Sequence, residues 1–192
     1  MKILKTFNPR YKEYLDYLDD HIGGVIKAWE DVLRPAIEQS GDEELLDILN
    51  LDKIGLQVYN HDQSKYGDDE FTAYCNHWYP QDGSEVNHAA VSSHKTDDMD
   101  YAYAWNHHQH NNKHHSQYWL CVEDDGTVYA LDMPVEYICE MLCDWHSFSR
   151  LPENQTAYDW WKENSDKFIM SEETIEWVDR LIVFMQKPLY NM

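Results

Sequence analysis

Basic residues are scarce in this chain of 192 residues: 15 Lys and Arg stand against 36 Asp and Glu, a formal net charge of −21. A protein that grips a nucleic-acid backbone generally needs a basic stripe, and the sequence holds none. An anionic membrane surface would repel the same chain. The acidic excess fits a solubilising shell. A carboxylate-rich face that imitates nucleic acid and engages a protein partner is the sharper alternative. Any small phosphate-containing ligand would need positive charge supplied locally, by metal ions or by a few placed lysines.

Other features are missing too. The four cysteines, Cys75, Cys121, Cys139 and Cys143, form no CxxC pair. Cys139 and Cys143 are four apart on an expected helix, which suits packing by reduced thiols in a cytoplasmic protein. No apolar run reaches the roughly 20 residues of a membrane span, and Met1-Lys2-Ile3-Leu4-Lys5 is too short an apolar stretch for a signal peptide. There is no glycine-rich phosphate loop, no GxSxG and no Cys–His pair with convincing spacing. No repeat or domain boundary breaks the chain, so one domain over residues 1–192 is expected.

Aromatic residues and helical stripes fill the space these absences leave. Eight Trp and fourteen Tyr supply much burial per residue. Leu15, Leu18, Ile22, Val25, Trp29, Val32 and Leu33 predict one helix over 10–38, with Pro35 kinking or stopping it. A short helix over 43–49 is followed by a stronger one in which Leu51, Ile54, Val58, His61 and Lys65 share a face. Residues 70–79 predict another. A loop or lid spans about 80–99 and carries His88 and His94, read as solvated. Tyr101, Trp105, His108, Asn112, His115 and Trp119 predict a helix over 100–119. Asp124-Asp125-Gly126 marks the turn of a small hairpin over 122–129. A helix follows Pro134, with Asp132 as its cap, through Met141, Trp145 and Phe148. Further helices over 155–187 pack on this core, the last one starting at Ser171. The fold class is therefore all-α, with at most one small β-hairpin near residues 120–130.

Six polar residues fall where apolar ones belong: His21, His61, Asp62, His108, His115 and Asp144. One such histidine is an ordinary satisfied core residue. Six on four helices are different, because burying each without a partner costs about 1–3 kcal/mol. A divalent metal is an economical shared partner. Imidazole and carboxylate donors suit Mn, Fe, Co, Ni or Zn without distinguishing them, and one or two ions fit. A carboxylate at Asp62 can bridge two metals. Glu140, one turn before Asp144, reads as a partner behind the ligands, as a general base, or as a solvated Glu. Asn111 and Asn112 are candidates to orient ligands or touch phosphate. His77 is placed at a surface helix end, and His146 on the wrong face.

The order His21, His61-Asp62, His108 and His115, then Asp144, all on helices, resembles the HD-domain superfamily of metal-dependent phosphohydrolases. The resemblance covers about residues 11–150. It implies an HD-like helical bundle in which His21, His61, Asp62 and Asp144 are core metal ligands, while His108 and His115 complete a second site. Within His61-Asp62-Gln63-Ser64-Lys65, it implies that Lys65 contacts substrate phosphate. The implied reaction is hydrolysis of a nucleotide or other small phosphate ester by metal-activated water. The runs Ala104-Trp105-Asn106-His107-His108, Asn112-Lys113-His114-His115 and Cys143-Asp144-Trp145 also resemble an uncharacterised family of phage and bacterial proteins. In that double-His pattern, His107 and His114 are alternative ligands to His108 and His115.

Overall fold

The computed structural model describes residues 8–84 and 97–191; His88 and His94 lie outside them. Among the described residues the fold is all-α with one small antiparallel hairpin. Helix α1 (Tyr11–Lys27) runs into a π-helical turn at Ala28–Leu33 and continues as α2 (Arg34–Gln39). Pro35 therefore neither stops the helix nor breaks it. Its missing N–H and its ring would conflict with the carbonyl four residues back. The π turn, in which Arg34 N–H reaches Trp29 O, shifts the bonding register just before that point. Asp42 caps α3 (Glu43–Ile48) and Asn50 caps α4 (Leu51–Tyr59), each accepting a backbone N–H.

Two expected helices are shorter than the apolar stripes imply. α4 ends at Tyr59, so His61 and Lys65 do not continue its face. Asn60 closes the last turn, Asp62 takes the left-handed conformation at φ 56°, and a 3₁₀ turn follows over Gln63–Tyr66. Asn and Asp tolerate these departures better than other residues with a side chain. α5 (Phe71–Trp78) packs on α6 (Met99–Asn111), which stops at Asn111-Asn112 rather than running to 119. His114 and His115 therefore lie in a turn before the 3₁₀ segment Ser116–Trp119, and helical phase does not govern them.

Strands β1 (Leu120–Val122) and β2 (Val128–Ala130) form the hairpin, in register Leu120↔Ala130 and Val122↔Val128. Gly126 turns it at φ 86°. α7 (Val135–Ser147) begins after Pro134, which occupies the capping position itself; Asp132 does not cap the helix. α8 (Ala157–Asn164) and α9 (Glu172–Ile182), capped by Thr156 and Ser171, complete the fold. Among the described residues, no helix is long and apolar enough to cross a membrane.

The apolar core has two parts. One is built from the C-terminal half of α1 with α4, α7 and α9, around Trp29, Leu33, Ile54, Leu142 and Leu181. The other lies between the start of α1, α5 and α6, around Tyr14, Leu18, Tyr74 and Tyr101. α1 passes through both, and His21 sits between Leu18 and Val25 at their seam. Gly24, one turn on, faces α7: a Cβ there would come within 3.2 Å of Ser147 Cβ. Its absence lets α1 and α7 approach closely beside His21 and Asp144.

His146 shows what a purely structural histidine looks like in this protein. It is fully buried, Nε2 lies 3.0 Å from Lys187 O, and Nδ1 accepts from Ala157 N–H at 3.4 Å. Burial pushes its pKa down to about 4, so the ring is neutral. His146→Ala is expected to destabilise the fold by about 1–3 kcal/mol, since the buried Ala157 N–H and the part-buried Lys187 carbonyl lose their partner. Metal content per folded chain should not change. Chemical denaturation and elemental analysis of one preparation check both halves.

Candidate metal centre

Residues from five segments converge at the seam. α1 supplies His21, the turn after α4 supplies His61, Asp62 and Lys65, and α6 supplies His108. The turn after α6 supplies His114 and His115, and α7 supplies Glu140 and Asp144. His61 is fully buried, and His21, Asp62, His108 and His114 are at most 2% exposed. His21, His61, Asp62, Lys65, His108, His115, Glu140 and Asp144, all expected at the site from sequence, lie there, with the alternative His114. The alternative His107 does not: it points to the outer side of Glu70. His146 faces the C-terminal segment. His77 pairs with Asp98 and stacks on Tyr101, away from the centre.

Two distance classes separate the roles of the ring nitrogens. Nδ1 of His61 and Nδ1 of His114 lie 2.9 and 3.1 Å from one atom, Glu140 Oε1. Nδ1 of His108 lies 2.8 Å from Glu70 Oε2. These are ordinary hydrogen bonds from ring N–H to carboxylate. His21 Nδ1 has Ser147 Oγ at 3.3 Å. The inward contacts are longer. Nε2 of His21 and of His61 lie 3.6 and 3.4 Å from Asp62 Oδ2, and 3.3 and 3.7 Å from Asp144 Oδ1. Nε2 of His108 and of His114 lie 3.3 and 3.5 Å from the other oxygen, Asp62 Oδ1. Two donors each about 2.1 Å from one ion sit roughly 3.0–3.4 Å apart in octahedral or tetrahedral arrangements. The inward spacing matches that arrangement, slightly expanded, and is too long for good hydrogen bonds.

A carboxylate at Nδ1 keeps the proton there and leaves the Nε2 lone pair facing inward. His61 Nε2, His114 Nε2, His115 Nε2 and Asp62 Oδ1 are all buried without a hydrogen-bond partner. Buried polar atoms are rarely left unpaired, and these four gather in one place. They are the donor types a divalent metal takes. The residues therefore fit a metal, in three overlapping groups: His21, His61 and Asp144; Asp62, His108, His114 and His115; and His61, His114 and Glu140. In the third, the Nδ1 atoms already face Glu140 Oε1 at hydrogen-bond distance, which leaves the first two for inward-facing Nε2 atoms. Asp62 turns one oxygen to each. Its left-handed backbone is the one positive φ of a residue other than glycine among the described residues. Such strain is tolerated where surrounding contacts determine it.

The electrostatics also call for a cation. Burial disfavours a charged His61, yet Asp62, Glu140 and Asp144 outweigh it and raise its pKa to about 9. A divalent ion would take the place of that proton. Burial also opposes charge on Asp62, but His61, Lys65 and His108 hold it well below the usual carboxylate range. The Lys65 ammonium is bound to Asp62 Oδ2 and lies 5.7 Å over the Tyr74 ring. Burial and the neighbouring His114 and His108 push His115 well down.

Two participants were not expected from sequence. Glu70 is fully buried and binds Nδ1 of both His107 and His108. It closes the acidic run Asp68-Asp69-Glu70, which reads as solvated surface, so no sequence signal marks it. Ser64 joins it: its hydroxyl accepts from Asn112 Nδ2 at 2.7 Å and lies 3.3 Å from His108 Nδ1. Asn112 thus steadies the His108 side, while Asn111 only bonds back to His107 O at the surface.

A family model described as a family of unknown function (DUF5662) matches residues 10–183. The chain belongs to that family. The matched span opens one residue before α1 and contains every residue of the centre. No curated protein and no solved structure gives a match.

Proposed function

We propose that the chain is a metal-dependent phosphohydrolase of the HD type, acting on a nucleotide or other small phosphate ester. One observation carries this reading: the two oxygens of Asp62 face two separate sets of imidazole Nε2 atoms, as a bridging carboxylate would. The order His21, His61-Asp62, His108, His114-His115, Asp144 supports it, being the HD arrangement. Bound divalent cations would acidify a coordinated water and polarise a phosphoryl oxygen.

The chain's own groups take defined parts. Glu140 uses Oε1 for two imidazoles, while Oε2 accepts from Gln57 at 2.6 Å. It is a positioning residue that holds one histidine of each set in the right tautomer. A general base would need a free oxygen facing the reacting groups. Lys65 has three N–H donors and gives one to Asp62, so others remain for a phosphate oxygen. Asp144 and Lys65 form an edge of the centre that reaches solvent, at 15% and 12% side-chain exposure. Phe148, 41% exposed, sets an aromatic face beside His21, suitable for a base or another flat leaving group. Four carboxylates, Asp62, Glu70, Glu140 and Asp144, face one lysine. Two divalent cations reverse the sign of that pocket and make it hospitable to a phosphate.

Elemental analysis of the untreated protein should find one to two divalent ions per chain. A screen of mono- and cyclic nucleotides with Mn, Fe, Co and Ni should show metal-dependent hydrolysis. A preparation that holds no stoichiometric metal and gains no activity from any of these ions would sink the proposal.

A further inference from the structure

The two donor sets are chemically unequal. The first offers two imidazoles, His21 and His61, and two carboxylates, Asp144 and one oxygen of Asp62. The second offers three imidazoles, His108, His114 and His115, and only the other oxygen of Asp62. His115 makes the difference. Its Nε2 is buried with no hydrogen-bond partner, and its donor atom lies within 4.8 Å of those of Asp62, His108 and His114. Its ring packs against both other histidines of the set, with centroids 4.7 Å from His108 and 4.3 Å from His114, and meets Trp105 edge-on. In access the two sets are alike: each is buried except for one partly exposed ligand, Asp144 in the first and His115 in the second.

We infer that the centre is built for two different ions: a nitrogen-rich subsite, completed by His115, that retains a late transition metal, and a carboxylate-rich subsite, completed by Asp144, that exchanges a harder ion such as Mn(II). This rests on the metal-centre reading above and goes beyond it. Imidazole favours Fe, Co, Ni and Zn, while carboxylate oxygen suits Mn and Mg. A three-imidazole set gains more from a late metal than a two-imidazole set does. In the three-imidazole set carboxylates hold two rings from behind, His108 by Glu70 and His114 by Glu140. In the other set Glu140 holds only His61, and His21 has Ser147 Oγ behind it at 3.3 Å.

The test uses the full-length chain stripped of metal and titrated with Zn(II) by calorimetry. Two steps are expected, separated on the order of 100-fold in affinity, about the scale that ligand-supporting groups contribute. Protein given one equivalent of Zn(II) and excess Mn(II), then dialysed, should keep Zn and lose Mn. Asp144→Asn should remove the weak step and leave the tight one. His115→Ala should bring the tight step close to the weak one, with Zn retention falling to match. Two equal steps, or Zn and Mn lost together on dialysis, would overturn the inference and leave the metal-centre reading intact. A tight step unchanged in His115→Ala would also overturn it. Failure to bind either ion at all would remove both readings. The wild-type titration and dialysis need no variant to fold.

Discussion

Asp62→Asn is expected to weaken metal binding at both subsites by at least about 100-fold and to remove hydrolysis with it. Supporting residues alone contribute about 10–100-fold to metal affinity, and Asp62 is placed to be a direct ligand twice over. Its Oδ2 faces His21 and His61, and its Oδ1 faces His108 and His114. An amide keeps the volume but offers one acceptor oxygen in place of two. Among residues with a side chain, Asn is also the one that best tolerates the left-handed backbone at φ 56°. Ala would add backbone strain and confuse loss of ligation with loss of fold. Far-ultraviolet circular dichroism should therefore match wild type while elemental analysis shows metal missing. Retention of two ions per chain by Asp62→Asn would rule out the bridging role.

Metal removal should cost the wild-type protein about 5–10 °C in melting temperature for each ion lost. An ion at about 100 times its dissociation constant stabilises a fold by about 2.7 kcal/mol. Each kcal/mol shifts the midpoint of a chain this size by about 2–4 °C. The physical source is specific. His61 Nε2, His114 Nε2, His115 Nε2 and Asp62 Oδ1 have left water without finding a hydrogen bond, and each such group costs about 1–3 kcal/mol. A metal gives all four a partner. Chelation followed by stepwise return of Mn, Fe, Co, Ni or Zn, with differential scanning fluorimetry, measures the shift. His146→Ala should keep the metal-dependent shift while melting lower throughout. His61→Ala should lose the part of the shift that belongs to the His21, His61 and Asp144 group and keep the part that belongs to Asp62, His108, His114 and His115. A wild-type midpoint unmoved by chelator and by every ion would leave the centre without a structural role for metal.

Much of the centre is legible in sequence because burial on a helix has a period. His21 lies between Leu18 and Val25, and Asp144 follows Met141 and precedes Phe148. Both stand on helices long enough for phase to hold, and both arrive at the site. His61 and Asp62 arrive as well, though not by the route the stripe implies. The stripe Leu51, Ile54 and Val58 ends with α4, and the left-handed Asp62 re-aims the chain. Asn60 before His61-Asp62 is the signal of that stop, as Asn111-Asn112 is for α6, because Asn and Asp compete with helical backbone bonding. Past Asn112 the choice between His114 and His115 has no periodic basis, and both reach the second group. The hairpin was legible from Asp125-Gly126 because that turn is local. The π turn ahead of Pro35 was not, because the core holds the helix together on both sides of the proline.

The sequence by itself determined the all-α class, the small hairpin, and a buried set of His and Asp that could hold a cation. These follow from composition and from periods of a few residues. Only the tertiary structure decided how that set divides. Three facts had no local signature: Asp62 facing two groups of imidazoles, Glu140 tying one histidine from each group, and Glu70 buried at the end of an acidic run. They depend on α1, α6 and α7 meeting at the seam between two apolar clusters. A contact between residues far apart in the chain is set by packing, and no period along the chain encodes it.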